Sequence, residues 1–307
     1  MAHDKPIEAK FKLGQYAVLY FDLMGVRQSL FKDITYHSSE VSDEKQKEID
    51  RTSDTILGFL NGIQELHDMF KLRPENLYAQ SMIDSPQYAD PKFRDEFLRQ
   101  AKELSVGIQQ GSDTTLLYVR DDGSEMTRML ISTWMAKLPL LILNAMSNGV
   151  TIRGCFTRGT GWEIRDNCLF GPVIHEAAEM EEHRADYSRI VVTSPFYSMC
   201  VGTDSTIQNI TPNQNYECNP FRMFCVDCDG MVIYDYLGNM AIKILSGMYC
   251  QKGYGVEPLK KKMLFARSCV VENMKRHNKN ARALEINQKL LSYIDYKTRT
   301  FLEKETK

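Results

Sequence analysis

The sequence predicts an α+β protein in which a mostly antiparallel sheet is flanked by helices and followed by a helical C-terminal extension. Short runs of β-branched and aromatic residues alternate with amphipathic stretches in the order β-α-α-β-β-α-β-β-α-β up to about residue 200. Turn signals at QGSD and DDG mark a hairpin within that series. Beyond residue 237, helical stretches follow one another without a strand between them.

The first strand is QYAVLYF, residues 15 to 21. A helix over about 42 to 72 follows, with Ile49, Ile56, Phe59, Leu60, Ile63, Leu66 and Phe70 at spacings of three and four. Residues 73 to 91, with three prolines, form a long connection, and 92 to 104 are helical again. SVGIQQGSDTTLLYVRDDGSE is a hairpin with Asp113 at its tip; Ser124 to Ser147 is a helix that Pro139 can kink. NGVTIRGCFTRGTGW reads as turn then strand, with GTGW a strand turn, and NCLFGPVIHEAAEMEEHRADYSRIVVTSPFY as strand, turn, helix, strand. A polar loop after about 205, a hairpin at 222 to 235 and helices at 237 to 250, 257 to 276 and 280 to 304 complete the chain. The expected division is a domain of residues 1–205 and an extension of residues 206–307 that completes the sheet edge.

At 307 residues and 43% hydrophobic, the chain can bury one large core or two modest ones. Its 38 basic and 40 acidic residues give a net charge of −2, so no basic field argues for nucleic acid or anionic lipid. The N-terminal MAHDKPIEAKFK lacks the apolar core of a signal peptide, and no uninterrupted apolar run approaches the roughly 20 residues of a membrane span. A cytoplasmic location is expected, and the eight cysteines read as reduced thiols. Cys225 and Cys228 in CVDC have metal-ligand spacing but lack a second close pair, and their surroundings alternate like a hairpin.

Two acids stand where strands end: Asp22 in FDLMG and Asp113 in GSDTT. A glycine after a strand lets backbone approach a phosphate, here at Leu23, Met24 and Gly25, and two carboxylates on neighbouring strands suit divalent cations. Taken singly, Asp22 reads first as a cap of the following helix and Asp113 as a turn residue. HEAAE at His175 lacks the second histidine of a zinc protease, and Cys155 has no visible base to make it a nucleophile.

The succession FDLMG, a GSD hairpin, IRGCFTRG, LFGPVIHEAAEMEE and SRIVVT resembles the catalytic core of class III nucleotidyl cyclases over about residues 14 to 200. The resemblance implies a ferredoxin-like core and two divalent cations, Mg²⁺ or Mn²⁺, held by Asp22, Asp113 and the backbone carbonyl of Leu23. It also implies a triphosphate contact from Arg153 and a homodimer with composite active sites. The residues that read a purine base in that family fall on Gln109 and Cys168, both uncharged, and the ribose-orienting and transition-state pair falls on His175 and Glu179. Glu179 cannot stabilise a developing negative charge, which leaves Arg158, Arg184 and Arg189 as candidate replacements. This altered pattern is similar to the bacterial pyrimidine cyclases of Pycsar antiphage systems, implying cyclic UMP or cyclic CMP made from UTP or CTP and sensed by a separate effector protein. The rival expectations are a non-catalytic nucleotide-sensing module and an adenylate or guanylate cyclase.

Overall fold

The computed structural model describes residues 12–24, 43–68, 104, 106–111, 114–165, 167–201 and 222–305, with a few positions between 90 and 99. Nearly all of the expected connection at 73 to 91, most of the expected helix at 92 to 104, the polar loop after 205, Gly25 and Asp113 lie outside the described residues.

The elements are β1 (Lys12–Met24), α1 (Asp43–Asp68), β2 (Val106–Gln110), β3 (Thr114–Arg120), α2 (Glu125–Met146), β4 (Thr151–Arg165), β5 (Cys168–Phe170), α3 (Pro172–Arg184), β6 (Ile190–Val192), α4 (Ser194–Val201), β7 (Phe224–Val226), β8 (Val232–Tyr234), α5 (Asn239–Gln251), α6 (Glu257–Arg276) and α7 (Ala281–Glu305). One sheet contains every described strand, in the order β2-β3-β1-β4-β6-β8-β7, with β5 folded onto β4. Only the β4–β6 pairing is parallel among the described strands. The protein is thus α+β with a mostly antiparallel open sheet, and β3 and β1 each lie between the two strands of a β-α-β unit.

The period of two in β1 divides the molecule. Ala17, Leu19, Phe21 and Leu23 face the larger core, where the Phe21 ring meets those of Phe59 and Phe156 edge-on at 5.9 Å. Tyr16 and Val18 face a smaller core with Leu116, Tyr118, Leu169, Val173 and Ala177, covered by α3. Trp162 pairs with Phe170 where β5 returns along β4, which brings Leu169 over this smaller core.

Helix α2 begins at Ser124, whose side chain accepts from the Thr127 N–H at 3.2 Å, and runs through Pro139 without a break. By length and composition it could cross a membrane. Its residues Leu130, Ile131, Trp134, Met135 and Leu138 are instead fully buried in the larger core, and Trp134 Nε1 donates to the Leu66 carbonyl at 3.0 Å.

Hairpin β7–β8 extends the sheet beyond β6, and its turn is tied to the end of α3 by Arg189. That guanidinium, 3% exposed, reaches Asp227 at 2.5 Å, Asp229 at 2.6 Å and the Arg184 carbonyl at 3.0 Å. Helix α7 is fastened to the same end of the sheet through Asp235, which accepts from Tyr293 at 2.7 Å and Lys297 at 2.5 Å.

Three local expectations are corrected. Gly159 to Trp162 are not a turn but part of the continuous strand β4, where Gly161 lets Val173 of α3 come close: an added Cβ would stand 3.0 Å from Val173 Cγ1. TSPFY ends not in strand but in α4, packed through Phe196 onto Phe156. Strand β1 runs on through Asp22 to Met24, so the acid sits within the ladder rather than after its end.

Candidate functional site

Alternation puts Asp22 on the α3 side of the sheet, with Tyr16 and Val18. The register sets it opposite Arg153 on β4 and Thr114 on β3, and Thr114 is the residue that follows Asp113 in the chain. Arg153 Nε donates to Asp22 Oδ2 at 3.0 Å. The strand arginine singled out by sequence is therefore bound to the strand acid singled out by sequence.

A third residue joins them. Val173, Ala177 and Glu181 form the buried stripe of α3, and the Glu181 carboxylate lies against Arg153 Nε from the helix side. Its Oε1 is paired there by charge but accepts no aligned hydrogen bond among the described residues. Glu181 is 6% exposed; burial pushes its carboxyl up to about 7, Arg153 opposes the rise, and Asp22 and Glu182 add to it. Two carboxylates thus converge on one cationic nitrogen in a half-buried niche. The Arg153 side chain is 22% exposed, and its two terminal nitrogens meet no acceptor among the described residues.

Around this cluster, Thr157 donates to Glu176 Oε2 at 2.8 Å and accepts from Thr193 at 3.1 Å. Cys155 is fully buried, and its thiol is pushed well above the usual range by that burial and by Glu176 and Glu181, so it stays a neutral thiol.

Gln109 lies on the same face of the sheet, two strands from β1 and hence about 10 Å across. Its Oε1 accepts from the Leu169 N–H at 3.2 Å, which brings it beside Cys168. The two positions picked for base reading are therefore neighbours, but the Gln109 acceptor is already occupied by backbone. Leu23 is 5% exposed with its side chain in the opposite core, and Met24 pairs with Thr151 at the end of the ladder.

The structure does not bring His175 into this cluster. It lies six residues before Glu181, about 9 Å along the helix, and its side chain is 86% exposed, 4.0 Å from Glu179 on the outer face. The candidate replacement arginines also separate. Arg158 points to the larger-core face, where its Nε meets Asp121 at 2.5 Å, and Arg189 is committed to the β7–β8 turn. Arg184, exposed at the end of α3 next to the Glu181 turn, shares the end of the helix that carries the cluster.

Among the described residues, no group of three or more His, Cys, Asp or Glu side chains is arranged to hold an ion. A hard divalent cation nevertheless suits Asp22, because the oxygens of Asp22 and Glu181 already hold a positive charge between them. Comparison with protein-family models and with curated proteins finds no match.

Sequence reasoning missed Glu181. Its signal was a spacing: Val173, Ala177 and Glu181 lie at i, i+4 and i+8, so an acid falls where the inner stripe calls for an apolar residue.

Proposed function

We propose that the chain is a metal-dependent pyrimidine nucleotide cyclase of the class III type, converting UTP or CTP to the 3′,5′-cyclic monophosphate and pyrophosphate as an antiphage messenger for a separate effector. The observation that carries this reading is the register that sets Asp22 between Arg153 and Thr114, the residue that follows Asp113 in the chain, on one face of the sheet. Further support comes from the strand order β2-β3-β1-β4 with β-α-β-β-α-β chain order, which is that of a ferredoxin-like core.

In this reading Asp22 and Asp113 would hold the two Mg²⁺ or Mn²⁺ ions, which when bound would lower the pKa of the attacking 3′-hydroxyl and gather the phosphates. Arg153 keeps Nε toward the sheet and offers its terminal N–H pair to the polyphosphate, a fork that matches two phosphate oxygens. No protein nucleophile is required, in keeping with the buried neutral Cys155. A homodimer would bring groups from the second chain over the uncovered part of this face, and the enzyme would work in the cytoplasm.

A second reading, a non-catalytic nucleotide-sensing module, is favoured by one observation: Asp22 is already engaged by Arg153. A purine cyclase is disfavoured by Gln109 and Cys168, which carry no charge to read a purine edge. The test is incubation of purified protein with each of the four ribonucleoside triphosphates and Mn²⁺ or Mg²⁺, with products resolved by mass. A cyclic pyrimidine monophosphate with pyrophosphate supports the proposal. A cyclic purine product removes the pyrimidine assignment, and nucleotide binding without any cyclic product favours the sensor.

A further inference from the structure

Arg153 is held at one nitrogen and open at two. Nε is shared between Asp22 and Glu181, while the terminal nitrogens meet no acceptor among the described residues. The two holders differ. Asp22 lies on a strand, is 15% exposed and is the carboxylate a divalent cation would take. Glu181 is brought in by a helix, is 6% exposed and lies on the packed stripe with Val173 and Ala177, behind the Nε edge of Arg153.

An acid on the inner stripe of a helix is costly to bury unless a cation answers it. Among the described residues, Arg153 is the cation that touches it. Once Asp22 turns to a metal ion, Arg153 would lose its aligned partner and regain the freedom of a long side chain, unless a second anion stays in place.

We propose that Glu181 is a positioning residue, whose carboxylate keeps the Nε edge of Arg153 anchored when Asp22 is taken by the cation, so that the terminal N–H pair stays aimed at the phosphates of the bound nucleoside triphosphate. The inference rests on the reading of Asp22 and Arg153 as a metal and triphosphate site, and it adds a residue which that reading does not use.

Immobilising one long side chain in advance improves binding by about ten-fold. Glu181→Gln keeps the shape and removes the charge. The expected result is a KM for the triphosphate raised about ten-fold with kcat within about two-fold, and no further loss when Glu181→Gln is added to Arg153→Ala. A Glu181→Gln effect that persists in full in the Arg153→Ala background overturns the proposal, since it would then act elsewhere.

A second readout needs no turnover. The Arg153 Nε–H resonance in ¹⁵N-arginine-labelled protein, assigned by its absence from Arg153→Lys, should broaden or shift in Glu181→Gln. An unchanged resonance overturns the anchoring itself. A wild-type chain that shows the Glu181-dependent resonance but binds no triphosphate overturns the functional reading instead, and with it the destination of the arginine.

Discussion

Glu181→Gln should make the protein relatively more stable as pH rises, because the wild-type carboxyl is more costly to ionise folded than unfolded. The ordinary value is 4.5 and burial in the folded chain raises it to about 7. A folded-state value above the unfolded one means that the folded state holds the proton more tightly, so its stabilising contribution is complete below about 4.5 and is lost as pH rises to about 7. At about 1.4 kcal/mol per pH unit, this gap costs the wild type about 1 kcal/mol at pH 5 and about 3 kcal/mol at pH 7.5. The glutamine of the variant does not titrate, so the difference in unfolding free energy between variant and wild type should shift by about 2 kcal/mol in favour of the variant across that range. Urea unfolding of both proteins at pH 5, 6 and 7.5, with equal slopes, reads this directly. A difference that stays constant with pH, or that moves toward the wild type, would show that Glu181 is already ionised at pH 5 and that Arg153 dominates over burial.

Two further predictions concern how the site is built. Gly171 opens α3 at φ +119°, and a Cβ there would stand 2.9 Å from the Trp162 ring and 3.0 Å from Gly161 Cα, so Gly171→Ala should cost about 1–3 kcal/mol or more; thermal unfolding indistinguishable from wild type would refute the close approach of α3 to β4. Arg189→Ala should cost about 3–5 kcal/mol, because desolvation of Asp227 is answered by hydrogen bonds from Tyr187, the Cys228 backbone and Arg189, and losing Arg189 leaves Asp227 and Asp229 without their shared cation. A loss below about 1 kcal/mol in urea unfolding would place this network among exposed ion pairs of little consequence.

The sequence was most legible where one periodicity ran long. Helix α1 was visible from apolar spacing and α2, α5, α6 and α7 as long helical stretches, and their observed limits fall within a few residues of those expected. Helix α4 was not, because Ser194–Val201 is too short to show a period and follows a β-branched run. GTGW looked like a turn because glycines usually punctuate; here Gly159 and Gly161 thin the strand so that a helix can lie close to it. Within the site, Asp22 and Arg153 were legible from strand position and local motif, while their direct pairing required the register between β1 and β4, which no local pattern encodes. Glu181 was hidden within the charged run EMEEHR, where only its phase relative to Val173 and Ala177 distinguishes it from Glu179 and Glu182. The separation of Arg158 likewise followed from the face of the sheet it occupies, a property of alternation counted from a fixed partner, whereas Arg184 lies on α3 and Arg189 is held by the β7–β8 turn.

The most direct test of the proposed activity compares wild type with Asp22→Asn in the assay that resolves cyclic products by mass, with thermal unfolding of both proteins alongside. The expected result is a cyclic pyrimidine monophosphate and pyrophosphate from the wild type, a loss of more than about 100-fold in the variant, and closely similar unfolding temperatures. No cyclic product from the wild type with any triphosphate, or full turnover in Asp22→Asn, would contradict the assignment of this carboxylate to the reacting site.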